Sequence, residues 1–111
     1  MRSNIPSPRT VAIQRVSLWE GATALVFQGH QPVTERDYAK QLPILRTIAR
    51  FLNEAESHLV LMGLDAKGYW RAYGALPELA EEVLRTTSKG KFQRVPVPDD
   101  LALSPLLSPA E

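Results

Sequence analysis

Residues 34–63 read TERDYAKQLPILRTIARFLNEAESHLVLMG, and this stretch decides the fold. Its first two thirds repeat apolar residues at the spacing of one helix face. Its last part, His58–Gly63, is a short continuous apolar run, which is typical of a strand covered on both faces. A long amphipathic helix followed at once by a buried strand predicts a domain built from both element types.

The long helix has a clear start and one interruption. Thr34 is a good N-cap, and Glu35 and Asp37 place negative charge at the positive end of the helix dipole. Pro43 lies on the polar stripe, so we expect one kinked helix running to about Glu56. The stripe that should face the core comprises Tyr38, Leu42, Ile44, Leu45, Ile48, Ala49, Phe51, Leu52 and Ala55, with Leu45, Ile48 and Leu52 almost fully buried.

Two hairpins are predicted on either side of this helix. Thr10–Leu18 and Ala22–Gln28 are rich in apolar and β-branched residues and flank a Glu20-Gly21 turn. Tyr69–Tyr73 should return beside the buried strand after a turn at Asp65–Gly68.

A second helix should begin at Pro77 and end at Gly90, and Phe92–Val97 should form a last strand. Pro96 and Pro98 place that strand at a sheet edge, because proline cannot donate to a ladder. The predicted order is therefore ββα-ββα-β. We expect an α+β fold, a two-layer sandwich with a mainly antiparallel sheet and both helices on one face.

Three segments are expected along the chain. Residues 1–9 resemble a flexible arm, residues 10–97 a single α+β domain, and residues 98–111 a tail rich in Pro and Leu. Four leucines make the tail too apolar to be a solvent-exposed linker without contacts. It should either fold back on its own domain or dock on a partner through Leu101, Leu103, Leu106 and Leu107.

Composition narrows the class of protein. A chain of 111 residues without cysteine has no disulfide framework and no thiolate metal site. It has neither an apolar run of membrane length nor the apolar segment of a signal peptide, so we expect a cytoplasmic protein. The net charge is only +1, yet residues 1–98 hold all 13 basic residues and nine of the 12 acidic ones, a net of +4.

The search for catalytic motifs finds none. The two histidines, His30 and His58, lack metal-ligand spacing, and no serine lies in a G-x-S-x-G elbow. The Met62–Gly68 turn lacks the spacing of a phosphate-binding loop. We therefore predict a protein that is not an enzyme, with no catalytic residue, metal or cofactor.

One pattern indicates binding. Strand alternation places Tyr69, Arg71 and Tyr73 on one face. Phe92 and Arg94 should point the same way if the last strand turns its valines to the core. Three aromatic rings and two guanidinium groups resemble a platform on which bases stack. The predicted nucleic-acid or partner site comprises Lys67, Tyr69, Arg71, Tyr73, Lys89, Lys91, Phe92 and Arg94.

Protein interfaces are also enriched in aromatic residues and arginine. The alternative is therefore a protein-interaction module, namely a homodimer, a small inhibitor or an adaptor, that uses the same face or the leucine-rich tail. The bare apolar strand His58–Met62 favours this alternative, because an open nucleic-acid face should not carry one.

Overall fold

The computed structural model describes residues 9–30, 32–56, 58–87 and 91–107, and within them the chain forms five strands and two helices. Their order along the chain follows the predicted succession, with a short 3-10 turn, Trp19–Gly21, inside the first hairpin. The predicted helix end at Gly90 lies outside the described residues. The bounds are β1 Thr10–Ser17, β2 Thr23–Gln28, α1 Glu35–Phe51, β3 Leu59–Leu64, β4 Trp70–Tyr73, α2 Pro77–Thr87 and β5 Gln93–Pro96.

The strands form one mixed sheet in the order β4-β3-β2-β1-β5. Three neighbouring pairs are antiparallel, and β2 and β3 are parallel because α1 carries the chain back between them. The last strand lies at an edge, as its prolines predict. The short strands β4 and β5 are therefore the two edges of the sheet.

Helix α1 begins as predicted and ends earlier. The Thr34 hydroxyl accepts a hydrogen bond from Asp37 N–H, and the Asp37 carboxylate accepts one from Thr34 N–H, which is a capping box. The helix continues through the exposed Pro43 without breaking in two. It ends at Phe51 rather than near Glu56, because Asn53 adopts a left-handed conformation with φ of 58° and closes a C-terminal cap.

The two helices cover opposite faces of the sheet, so the two-layer sandwich is not borne out. On β3, Leu59 and Leu61 join the cluster beneath α1, which we call the first face. The alternate residues Val60 and Met62 join Leu79 and Val83 of α2 on the second face. The architecture is α/β/α in layers, and the sheet has two core-bearing faces.

The first face is completed by the tail. Leu106 and Leu107 are buried in the cluster beneath α1, and Leu101 and Leu103 pack against it. The backbone N–H of His30 donates to the Leu106 carbonyl at 2.7 Å. Of the two predicted roles for the tail, the structure shows the first: the leucines fold back on the domain and pack in its own core.

Leu52 is only half-buried, whereas Leu45 and Ile48 are inaccessible to solvent. The difference follows from the early helix end, since Leu52 is the C-cap.

None of the helices within the described ranges is both long and apolar enough to cross a membrane.

Replacing Leu107 with alanine should destabilise the domain by about 2–5 kcal/mol, because the change leaves a cavity in the first-face core. Chemical denaturation monitored by circular dichroism measures the free energy of unfolding. The exposed Asp100, changed to alanine, is the control and should stay within about 0.5 kcal/mol of the parent. An unchanged midpoint for Leu107→Ala would contradict the packing of the tail.

Candidate interaction surface

The residues predicted to form one binding platform lie at opposite edges of the sheet. Tyr69, Arg71 and Tyr73 belong to the β4 edge, and Arg94 belongs to β5. Strands are about 4.8 Å apart, so the two edges of a five-stranded sheet are separated by about 19 Å. The platform is therefore not assembled within one copy of the chain.

The predicted residues also point to different faces. Tyr73 packs against the first-face cluster, whereas Phe92 packs against the second-face cluster. Val95 does turn to the first-face core, as expected, but this sends Phe92 and Arg94 to the opposite side. The expectation that these side chains share one face is therefore wrong, because it assumed one covered face and this sheet has two.

The positively charged residues of the prediction are likewise dispersed. Lys67 lies in the β3–β4 turn, Lys91 precedes β5 and Arg94 lies within β5, and all three are exposed. Lys89 lies outside the described residues. Trp70, which alternates with Tyr69 and Arg71 along the strand, is half-buried against the second-face cluster.

Arg71 is held by the turn that precedes it. Its Nε donates to Asp65 Oδ2 at 2.9 Å. The other carboxylate oxygen accepts the backbone N–H groups of Lys67 and Tyr69 at 2.8 and 2.9 Å. The hydrogen bond from Tyr69 and then that from Arg71 lower the pKa of Asp65, while the Asp65 side chain raises the pKa of Arg71. Arg71 thus already has an acidic partner in its own hairpin.

The β4 edge presents unpaired backbone groups. Residue pairs in an antiparallel ladder alternate between those that exchange hydrogen bonds and those that do not. Asp65 N–H donates to the Tyr69 carbonyl at 2.8 Å, which fixes the phase of the β3–β4 ladder. Arg71 and Tyr73 are therefore bonded to β3, and the N–H and C=O groups of Trp70 and Ala72 point outward.

The β5 edge differs in one chemical respect. Val97 N–H donates to the Arg9 carbonyl at 3.0 Å, so the outward positions on β5 are Arg94 and Pro96. Pro96 has no N–H to offer. Proline at an outward position blocks the addition of another strand, a protection that β4 lacks.

A cleft of about 490 Å³ runs along the β4 edge. Ala72 and Gly74 line it from the strand side. Ala80 and Leu84 of α2 border it on the second face, and Glu35 from the start of α1 borders it on the first. The cleft therefore wraps around the edge and has a wall on each side.

Charge and apolar exposure both concentrate here. Glu35 and Glu81 line the cleft, and within the described part of the chain neither forms an ion pair. Five large apolar side chains are exposed among the described residues, and three of them, Leu64, Tyr69 and Leu76, belong to the segment that leads into and out of β4. Such a concentration makes the β4 edge the candidate interaction surface.

The environment of His30, like that of Gln14, is unusual for a polar side chain. The Nε2 atom of His30 is buried and lacks a hydrogen-bond partner in the described structure, beside a cavity of about 400 Å³ at the ends of β2 and β3. Burial, and then the charge of Arg94, lower its pKa. In the described ranges, no three His, Asp or Glu side chains are grouped so as to hold a metal ion.

Sequence reasoning identified Tyr69, Arg71 and Tyr73 but missed the backbone edge between them. Which amides of β4 point outward depends on its register with β3, which no local pattern encodes. Glu35 was interpreted only as a dipole partner, and its place beside β4 depends on the crossover through α1. The one available signal was the absence of proline from Tyr69–Tyr73.

Changing Asp65 to asparagine should lower the melting temperature at neutral pH, because Arg71 loses its charged partner. Hydrogen bonds hold the folded pKa of Asp65 below 3.8, so the stabilisation is present above that pH and disappears as the pH falls through the folded pKa. The melting-temperature difference from the parent should therefore shrink in acid. Asp99→Asn, which removes one charge elsewhere on the surface, is the control; a pH-independent difference for Asp65→Asn would contradict the assignment.

Comparison with known proteins adds no functional information. No family model, curated protein or solved structure matches this chain.

Proposed function

We propose that this chain is a non-enzymatic protein-interaction module that accepts an extended segment of a protein partner as an additional strand along β4. The observation that carries the proposal is the contrast between the two sheet edges. The β4 edge has outward backbone groups at Trp70 and Ala72, whereas Pro96 interrupts the β5 edge.

The cleft supplies what strand addition needs. Backbone hydrogen bonds to an edge strand give affinity, and alternate side chains of the added strand enter pockets on the two faces. Here one set would meet Ala80 and Leu84 of α2, and the other would meet Tyr73 and Glu35. The small side chain of Ala72 leaves the backbone open to approach.

The distribution of charge favours a protein over a nucleic acid. The guanidinium group of Arg71 is paired with Asp65, and the cleft carries the carboxylates of Glu35 and Glu81. Phosphate groups bind where Lys and Arg are free to neutralise them. Binding through Arg71 and Arg94 together would require surfaces on opposite edges and faces of the sheet.

The test uses a proline in β4. Ala72→Pro removes an outward N–H and leaves the β3–β4 ladder intact. Random extended peptides displayed on phage are selected for binding to the parent protein. Their affinity is then measured for Ala72→Pro and for a control variant, Arg94→Pro. We expect Ala72→Pro to weaken the selected peptides at least about tenfold, or about 1.4 kcal/mol. Arg94→Pro, at the matching outward position of β5, should leave their affinity unchanged.

Thermal melts establish that both proline variants are folded. Fluorescence anisotropy with labelled single- and double-stranded oligonucleotides at two salt concentrations provides the other arm, and we expect no binding there. Peptides that bind Ala72→Pro as tightly as the parent overturn the β4 assignment. A different pair of results would favour the nucleic-acid function over the peptide-binding function. In that case no peptide is selected, and the protein binds oligonucleotides in a salt-dependent way that Arg71→Ala weakens.

A further inference from the structure

Residues 69–75 read YWRAYGA, and two copies of this segment fit each other when they run antiparallel. When two copies run antiparallel with Ala72 opposite Ala72, Trp70 lies across from Gly74 and Arg71 across from Tyr73. Tyr69 then lies across from Ala75. A two-fold symmetric interface requires the same surface to serve both partners, and this segment meets that requirement.

The backbone phase fits this register. Ala72 points its N–H and C=O groups outward, so two copies of Ala72 would form a pair that exchanges both hydrogen bonds. Trp70, which also points outward, offers its groups to the chain around Gly74 of the second copy. No proline interrupts 69–75.

Side-chain sizes match across the axis. A Cβ added to Gly74 would lie 3.3 Å from both the Leu79 and Val60 side chains, so the position favours a residue without one. The half-buried Trp70 on the same face would cover the bare backbone of the opposite Gly74, since an aromatic side chain stabilises a glycine across a strand pair. Tyr69, which is 64% exposed, would likewise cover Ala75.

Charges match as well. Arg71 and Glu35 line the same cleft, and Glu35 has no ion-pair partner among the described residues. The two-fold axis brings Arg71 of each copy toward Glu35 of the other. The guanidinium group has five N–H donors, so it can keep its bond to Asp65 while meeting a second carboxylate.

Strand pairing over residues 69–75 buries too little surface by itself, because a stable dimer needs about 800 Å² from each partner. The remaining area is available on α2. Pro77, Ala80 and Leu84 form a stripe along the cleft, and Leu76 is 56% exposed just before it. The α2 helices of two copies would meet along these stripes on the second face.

We propose that the partner of the β4 edge is a second copy of this chain, an inference that rests on the proposed function of that edge. The two β4 strands pair antiparallel about Ala72 and join the sheets into one continuous ten-stranded sheet. Glu35 and Arg71 exchange ion pairs across the axis.

The absence of native cysteine allows a direct test. Ala72→Cys puts one thiol on the proposed axis, where paired strands have a Cα separation of about 5.5 Å, within disulfide range. Mild oxidation should convert most of this variant to a covalent dimer. Arg94→Cys, a single thiol at the outward position of the other edge, should stay largely monomeric on the same gel.

Sedimentation velocity measures the association itself. We expect the parent and Arg94→Pro to sediment as dimers at roughly 100 μM, where a complex with a micromolar Kd is formed. Ala72→Pro should raise the dimer Kd at least about tenfold, and Glu35→Lys should raise it by placing like charges together.

Two results would overturn the homodimer: a monomeric parent at that concentration, or a dimer in which Ala72→Cys does not cross-link. If the parent is a monomer but still selects peptides whose binding Ala72→Pro weakens, the homodimer is wrong and the proposed function is supported. A monomer that selects no such peptide removes both.

Discussion

Strand β3 is buried on both of its faces, and the rest of the architecture depends on that constraint. Leu59 and Leu61 on one side and Val60 and Met62 on the other are almost inaccessible to solvent. An apolar strand of this kind needs a layer on each face. Helix α1, which returns the chain so that β2 and β3 run parallel, provides one layer, and α2 provides the other. With both faces occupied, the edges of the sheet are the backbone surfaces left for a partner.

The two edges are treated differently by the sequence. At β5, Pro96 occupies an outward position, and the following segment runs directly into the tail that packs on the first face. At β4, the outward positions are Trp70 and Ala72, and the adjoining turn is rigidified by Asp65. A rigid hairpin with an unblocked edge loses little conformational entropy when another strand is added. In the proposed binding mode, the turn would therefore contribute through preorganisation, although Asp65 need not touch the partner.

Local chemistry predicted most elements of this fold. The cap at Thr34, the single helix through Pro43, both hairpins and the edge position of β5 all follow from patterns within a few residues. The helix end was misplaced because Ala55 continued the apolar spacing, whereas the conformation of Asn53 decided the outcome. Layering was also misjudged. The run 59–62 indicated cover on both faces, but the two helices were nevertheless assigned to one.

The candidate site was harder to predict, because it depends on which strands become neighbours. Phe92 and Arg94 were grouped with β4 on the basis of alternation alone, yet β5 pairs with β1, whose residues lie at least 80 positions earlier in the chain. Nothing local to residues 92–97 specifies that choice. The residues of β4 itself were identified correctly as a group, since Tyr69, Arg71 and Tyr73 follow one strand.

The pairing of β1 with β5 has a consequence for how the chain acquires its structure during synthesis. Of the five strands, β1 is synthesised before the others, and its neighbour β5 is synthesised after the other four, with the buried Leu107 later still. The segment from β1 to β3 is available to pair well before then, which leaves β1 as a temporary outer strand whose outward-pointing backbone groups are unsatisfied. Such an intermediate is open to pairing with other nascent chains. We therefore expect the time between synthesis of β3 and synthesis of β5, as well as final stability, to affect the fraction of chains that fold without misassembly.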